Sequence, residues 1–408
     1  MNLSLRPRYK QILAVIAIII IVALLIQSSF KTWLAYSYAE GPQPEGLRLA
    51  SAIDPSNPDY SFLIAFYLME YDDQSSYETA LEEYKKALTL SPFNHNYWFY
   101  LAELLHYGGQ REQALYALSE ATTLSPGSVS LRWRAGMLAS KLGDRESVLD
   151  NLSAVIEYDP HRRWKAFALL WQAVGNEDKI FNSISDNALS SYFYYLRTTS
   201  RIDQAGKVFE KLRKLNYDTS IVAYKYVADL IRDGDIDSAQ QIWIGTYGDW
   251  DGVWNGSFEE DMKNDGFDWR LGRVEGVKIK RDIDSHSGDY SLMVNFDSKH
   301  NIEFSHLSQV IPVQDKSSYT INLYVKTDEI VTSEDLQWQV YCLYTDELDA
   351  RSSLILGTHD WKPYTISFTA PQGCGAINLR LILDKSDKIN KLISGTLWVD
   401  EVSMTRNN

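Results

Sequence analysis

The chain has 408 residues, of which 45% are hydrophobic and 23% charged, and its formal net charge is −14. This length allows roughly two or three domains with separate cores, and the composition is that of globular protein, which argues against wholesale disorder. The acidic balance argues against nucleic acid as a partner, because phosphate binding needs a basic face.

The N-terminus combines basic residues with a long apolar run. Three basic residues come first: Arg6, Arg8 and Lys10. They precede an unbroken apolar segment from residue 12 to 26, and the stretch 11–30 approaches the roughly 20 residues that a membrane-spanning helix needs. The basic excess predicts a cytoplasmic tail over 1–10, an anchor over 11–30 and the rest of the chain outside the cytoplasm. A cleaved signal peptide is the alternative, although the small residues of its cleavage-like site, Ser37 and Ala39, lie far beyond the apolar run.

The middle of the chain repeats with a period of 34 residues. The repeated positions carry prolines and alanines: Pro92, Pro126 and Pro160, Ala80 and Ala114, Ala87 and Ala121. Small residues at such positions let two antiparallel helices approach closely, and a proline ends the second helix. The pattern therefore predicts a stack of helical hairpins, since no single hairpin buries its apolar face.

This pattern resembles the tetratricopeptide repeat (TPR) family. The clearest copy carries these residues at the family's positions: Trp98, Leu101, Ala102, Ala114, Leu118, Ala121 and Pro126. The resemblance implies an all-α solenoid over 45–246, with about five or six hairpins. It also implies a protein partner on the concave face.

A short Gly/Asp-rich linker at 247–253 separates this region from one with a different period. From residue 254 to 408 the hydrophobic period falls from 3.6 to 2, and short alternating segments are separated by Gly, Pro, Ser and Asp. Many short strands of this kind predict an all-β sandwich or jelly roll.

Six landmarks of the C-terminal region, in order, resemble the β-jelly-roll carbohydrate-binding modules appended to xylanases and glucanases. They are NGSFE, GFDWRL, SGDYSLMV, LSQVIPV, FTAP and GTLWVDEVSM. The resemblance implies a glycan partner and a structural calcium ion that ties the first strand to the last. Glu259 and Asp400 match the carboxylate ligands, and backbone carbonyls near Ser287 and Gly288 would complete the shell. The alternative is that both carboxylates are solvated at strand edges.

Strand alternation supplies candidate sugar contacts. Six polar or aromatic residues are expected to face outward: Asn322, Tyr324, Gln339, Tyr341, Asn378 and Arg380. If their strands are neighbours, they form one polar and aromatic face that suits a glycan, whereas the alternative is an ordinary wetted sheet face. Trp269, Trp338 and Trp398 are expected in the core.

Neither the cysteines nor any motif indicates catalysis. Cys342 and Cys374 either form a disulfide in an oxidising compartment or are one buried and one loop thiol. No HExxH, GxSxG or Walker sequence is present. We therefore predict a protein that is not an enzyme.

The sequence thus predicts a multidomain chain, α then β, with an N-terminal transmembrane helix, a TPR solenoid and a C-terminal jelly roll. The expected function is that of an inner-membrane adaptor of the bacterial envelope with its bulk in the periplasm, serving exopolysaccharide or surface-polysaccharide assembly or export. One alternative is a structural envelope scaffold whose jelly roll binds protein rather than sugar. A second is a subunit of a carbohydrate-active enzyme.

Overall fold

The structure is a computed structural model that describes residues 8–41, 43–71, 76–297, 299, 302–384 and 392–407. The basic residue Arg6 of the expected cytoplasmic tail lies outside the described residues. The chain divides into two compact units, Met1–Tyr195 and Leu196–Asn408. Helices form the first unit, and the second combines helices with two antiparallel sheets. The predicted fold class, α then β after a long apolar N-terminal helix, is confirmed.

Helix α1 (Arg8–Ala39) is the one described helix that is long and apolar enough to cross a membrane. A signal sequence passes the same test of length and composition. At 1.5 Å per residue its 32 residues span about 48 Å, more than the roughly 30 Å of a bilayer core. Its last turns pack on α2 (Pro44–Ile53), where Ala35 is fully buried. The apolar segment and the residues that pack on α2 therefore belong to one continuous helix.

Consecutive helices form the hairpins of the first unit. The further helices are α3 (Pro58–Tyr71), α4 (Tyr77–Leu90), α5 (His95–Tyr107), α6 (Arg111–Leu124), α7 (Val129–Lys141), α8 (Arg145–Tyr158), α9 (Arg163–Ala173), α10 (Glu177–Ser183) and α11 (Leu189–Thr198). The pairs α3/α4, α5/α6 and α7/α8 pack closely, and the repeated alanines at 80, 87, 114 and 121 are buried between helices. Side-chain caps start some of these helices, as where Asn94 Oδ1 accepts from the Asn96 amide at 3.0 Å.

The second unit contains three helices and a β-sandwich. The helices are α12 (Ile202–Lys214), α13 (Ser220–Asp233) and α14 (Ile236–Tyr247). The strands are β1 (Arg270–Leu271), β2 (Val277–Asp282), β3 (Ser291–Asp297), β4 (Phe304–Pro312), β5 (Ser318–Val331), β6 (Leu336–Cys342), β7 (Asp349–Arg351), β8 (Gly357–Thr369), β9 (Ala376–Leu383) and β10 (Ser394–Asn407). Sheet A has the order β1-β4-β9-β6-β7, and sheet B has the order β2-β3-β10-β5-β8.

The space between the two sheets holds the sandwich core. Trp269 and Trp338 are fully buried there, as expected. Trp398 was expected in the core as well, and this prediction was wrong. It pairs with Lys326 across sheet B, its neighbours Leu397 and Val399 point inward, and its ring lies 5.6 Å from Lys326 Nζ on the outer face.

Within the second unit, α14 packs directly on the first residues of the sandwich. Trp243 is fully buried, with ring centroids 5.3 Å from Trp254 and 5.8 Å from Phe267. A side chain at Gly266 would place its Cβ 2.5 Å from the Trp243 ring, so this close approach requires glycine. Aromatic residues before and after the segment that joins α14 to the sandwich therefore pack into one cluster.

Cys342 and Cys374 form a disulfide, which decides between the two alternatives left open by the sequence. Both residues are buried in the sandwich core. The bond joins the end of β6 to the turn before β9, next to the point where Cys342 pairs with Ile377.

Candidate functional site: the outer face of sheet A and the turn at 286–290

The six predicted sugar-contact residues are divided between the two sheets. Strands β6 and β9 are neighbours in sheet A, where Gln339 lies opposite Arg380 and Tyr341 opposite Asn378. Asn322 and Tyr324 lie on β5, which belongs to sheet B. The single face was expected only if the three strands were neighbours. It therefore forms for the four residues of sheet A and does not include Asn322 and Tyr324.

A hydrogen-bonded network holds Arg380 on the outer face of sheet A. Its Nε donates to Gln339 Oε1 at 2.7 Å, and Gln339 Nε2 donates to Asp349 Oδ1 at 2.7 Å. Asp349 in turn accepts two bonds from Arg351, at 3.0 Å from Nε and 2.8 Å from Nη2. The hydrogen bonds from Arg351, and then the one from Gln339, lower the pKa of Asp349, which keeps it ionised as an acceptor.

The predicted residues of sheet A differ in accessibility. Gln339 is 6% exposed and Asn378 is 9% exposed, whereas Tyr341 and Arg380 are half-buried. The Arg380 guanidinium carbon lies 4.5 Å from the centre of the Tyr341 ring, which is cation–π distance. The exposed surface is therefore an arginine lying on a tyrosine, and Gln339 acts beneath it as a positioning residue.

A cleft adjoins this face, between α13 and sheet A. Its volume is about 560 Å³, and its walls include three arginines and two aspartates: Arg197, Arg232, Arg270, Asp229 and Asp265. The Tyr344 hydroxyl donates to the Ile231 carbonyl across the cleft, and burial raises the pKa of Tyr344 to about 12. The sequence predicted neither feature. The cleft depends on contacts between residues distant in sequence. Asp349 and Arg351 are only two residues apart, but Asp349 joins the site through Gln339 on the neighbouring strand.

On sheet B, the ring of Tyr324 is already covered. The His286 ring stacks on it with centroids 3.8 Å apart, and Trp361 lies 5.8 Å from His286. Asn322 Oδ1 accepts from Thr365 Oγ1 at 3.1 Å. A sugar ring and the imidazole would compete for the same face of Tyr324.

The two predicted calcium ligands meet at one turn, residues 286–290. Asp400 is fully buried, and its Oδ2 accepts from the amides of His286 at 2.8 Å and Ser287 at 3.1 Å. Glu259 Oε1 accepts from the amides of Asp289 and Tyr290 at 2.9 and 3.0 Å. Burial raises the pKa of Asp400, although its backbone hydrogen bonds oppose this effect.

This turn offers only part of a calcium shell. The described residues contain no group of three or more His, Cys, Asp or Glu side chains placed to hold a metal ion. Two carboxylates that converge on one turn supply oxygen ligands, so the remaining ligands would have to be backbone carbonyls or water. The amide hydrogen bonds already join the segment at 259 to the last strand, which is the role expected of the ion.

Comparison with known proteins adds similarities of fold. No protein-family model matches the chain, and no curated protein matches it. Similar solved structures include carbohydrate-binding modules and TPR-like proteins, the two classes expected from the sequence.

Three of these structures illustrate the range. A CBM4 structure is 16% identical over 38% of this chain and 99% of its own, with a TM-score of 0.30. MamA is 15% identical over 42% of this chain and 83% of its own, with a TM-score of 0.30. PilF from Pseudomonas aeruginosa is 20% identical over 46% of this chain and 90% of its own, also at 0.30. Sequence identities and TM-scores this low do not show that this chain shares the function of any of these proteins.

Proposed function

We propose that the chain is a membrane-anchored, non-enzymatic adaptor of the bacterial envelope. In this proposal its helical repeat binds a protein partner, and the outer face of sheet A binds a glycan during assembly or export of a surface polysaccharide. The observation that carries the glycan step is the held Arg380–Tyr341 pair. A planar cation on an aromatic ring is a rigid surface for a sugar, and Gln339 and Asp349 fix it in place before binding.

Two further observations support the location and the protein partner. The buried disulfide fits an oxidising compartment, as expected for the part of the chain beyond an N-terminal anchor. The helical repeat has a groove of about 320 Å³ between α4, α5 and α6, lined by Trp98, Leu101 and Tyr116 among others. An aromatic groove of this kind suits a peptide or helix of a partner.

A glycan array probed with the full chain in detergent tests the proposal. We expect Tyr341→Ala to weaken binding about tenfold, because it removes the ring under Arg380 and with it the fixed orientation. Tyr324→Ala is the matched control, since that ring lies on the other sheet under His286. Loss of binding in Tyr324→Ala alone would move the site to sheet B. Absence of binding to every glycan by a folded chain would contradict the glycan step, and release of reducing ends would contradict the non-enzymatic reading.

A structural role for the sandwich is the second candidate, and one observation favours it. Trp243 of α14 is buried against Trp254 and Phe267, so the sandwich covers an apolar helix face. A domain that only caps helices needs no ligand. Substitution of Arg380 would then leave every partner interaction of the chain unchanged.

We also propose calcium at the 286–290 turn, held by Glu259 and Asp400. The convergence of both carboxylates on that turn supports it. Calcium is expected to raise the thermal midpoint of the full chain, and Glu259→Gln should remove this shift while magnesium produces none. If calcium leaves the midpoint unchanged, the turn is held by amide hydrogen bonds alone.

A further inference from the structure

The outer face of sheet A carries a row of arginines that runs across the strands. Directly opposed residues in an antiparallel sheet share a face. Arg270 lies opposite Ser308, Ser308 opposite Arg380, Arg380 opposite Gln339, and Gln339 opposite Arg351. The three arginines therefore occupy alternate strands, about 10 Å apart at the usual strand spacing. A solvated sheet face needs polar side chains, but it does not need arginines at a regular spacing.

Arg380, at the centre of the row, has charge to offer a ligand. Its Nε is bound to the neutral Gln339, and among the described residues no carboxylate lies within ion-pair distance of its guanidinium. Asp349, the nearest acid of the network, instead makes its ion pair with Arg351 at 2.8 Å. The two Nη nitrogens of Arg380 are thus left to bind an anion in the bidentate manner that guanidinium favours.

Arg270 extends the row into the cleft beside α13. Its Nε is buried without a hydrogen-bond partner in the described part of the chain, and its Nη2 is 3.7 Å from Asp265 Oδ1, a loose pair. The cleft wall carries three arginines against two aspartates, one positive charge in excess. With a volume of about 560 Å³ the cleft has room for a charged sugar residue at the end of the row.

We propose that the glycan bound by this face is acidic, with carboxylate or sulfate groups on alternate sugars that pair with Arg380 and Arg270. This inference rests on the proposed glycan-binding function and gives it a substrate class. The chain's net charge of −14 does not oppose it, because exposed charges beyond about 8 Å are screened at physiological ionic strength. Recognition is therefore local, through the arginines of one sheet face.

The test compares one polymer in charged and neutral forms. The full chain in detergent is titrated with oligogalacturonate, with the same oligomer fully methyl-esterified, and with a sulfated neutral glucan beside its unsulfated parent. We expect the charged form of at least one pair to bind at least tenfold more tightly than its neutral form. Arg380→Gln should weaken that binding about 10- to 100-fold, as expected for charge-assisted hydrogen bonds, and should abolish the preference for charge.

Two further variants show whether weaker binding comes from damage to the site or from damage to the fold. Gln339→Ala frees Arg380 from its support and should weaken acidic binding while leaving the thermal midpoint nearly unchanged. Arg213→Gln removes the same charge from an exposed side chain of α12 and should have no effect. Tighter binding of the uronate identifies a carboxylate ligand, and tighter binding of the sulfated glucan identifies a sulfate ester.

The outcomes also separate this inference from the proposed function. Equal binding of the charged and neutral forms, or unchanged charge preference in Arg380→Gln, would overturn the acidic class while glycan binding stands. If neither these polymers nor any glycan on the array binds to a folded chain, the proposed function itself fails, and this inference fails with it.

Discussion

Gly288 is the residue on which the geometry of the 286–290 turn depends. Its φ is +64°, a value that favours glycine, and a Cβ there would lie 2.3 Å from Glu259 Oε1. Gly373 has a similar φ of +80°, but a Cβ there would meet nothing within 4 Å. Gly373 is therefore required only for its backbone conformation, whereas Gly288 is required both for its backbone conformation and for the space that Glu259 occupies.

We predict unequal costs for alanine at these two positions. Gly373→Ala should lower the free energy of unfolding by about 1 to 2 kcal/mol, the cost of a left-handed backbone for a side chain. Gly288→Ala should lower it by about 1 to 3 kcal/mol more, because Glu259 must move and leave two amides without an acceptor. Thermal midpoints of the two variants would check this, and equal shifts would contradict it.

Asp268 gives the sandwich a dependence on pH. The residue is fully buried, its oxygens accept from the amides of Lys263 and Trp269, and burial raises its pKa. A group with a raised pKa in the folded state binds its proton more tightly there than in the unfolded chain. Its contribution to stability is therefore fully present below the ordinary Asp pKa and is lost as pH rises through the raised value.

We expect this loss to disappear in Asp268→Asn, which cannot ionise. The thermal midpoint of the wild type should exceed that of the variant most at about pH 4, near the ordinary Asp pKa, and the difference should narrow as pH rises through the raised value. Asp251→Asn, on an exposed side chain, is the matched control. A difference that stays constant or widens would show that ionisation of Asp268 is not penalised in the folded chain.

At the scale of elements, the disulfide holds the middle of sheet A. It connects the end of β6 to the turn before β9, and these two strands also pair from Leu336 to Cys342. These strands carry Gln339, Tyr341 and Arg380, so the bond secures the register on which the proposed site depends. The cysteines are 32 residues apart, a loop whose closure in the unfolded chain has a substantial entropy cost.

We predict that the double variant Cys342→Ala with Cys374→Ala loses about 3 to 4 kcal/mol of unfolding free energy. Chemically reduced wild type should melt together with this variant, which serves as the control. The measurement is the thermal midpoint under oxidising and reducing conditions. An unchanged midpoint in the double variant would show that packing alone holds β6 against β9.

Element types could be predicted well because they depend on short-range pattern. The alternation at 319–327 depends on neighbours within a few residues, and so does the pattern of small residues within each helical hairpin of the first unit. Strand order could not be predicted, since it depends on contacts between distant segments. Alternation placed four of the six candidates on one face correctly: Gln339, Tyr341, Asn378 and Arg380. Because strand order was not known, Asn322 and Tyr324 were grouped with them, although they lie on the other sheet.

At the scale of the whole molecule, the packing at the end of α1 bears on whether this helix stays in the mature chain. The helix is 32 residues long, and its end is packed on α2 through Ala35. Cleavage after residue 39 would remove Ala35 and expose the face of α2 that it covers. We therefore predict that the helix is retained.

We expect a chain tagged at both ends to keep both tags in the membrane fraction. Protease added outside spheroplasts should remove the C-terminal tag and spare the N-terminal one, because basic residues before an apolar run are expected to keep that end in the cytoplasm. A variant with the cleavage-like residues 37–39 changed is the control and should behave identically. Loss of the N-terminal tag from the wild type alone would identify a signal peptide instead.

The sequence by itself determined the long apolar N-terminal helix, the helical repeat and the β-sandwich, because hydrophobic period and small-residue spacing act locally along the chain. It also predicted, through the resemblance of their motifs, that Glu259 and Asp400 share a role, and the structure brings both carboxylates to the turn at 286–290. Only the tertiary structure decided which side chains share a face, that His286 covers Tyr324, and that Arg270, Arg380 and Arg351 form one row. These facts depend on strand order and register, which are set by the packing of the whole sandwich core and not by any one segment.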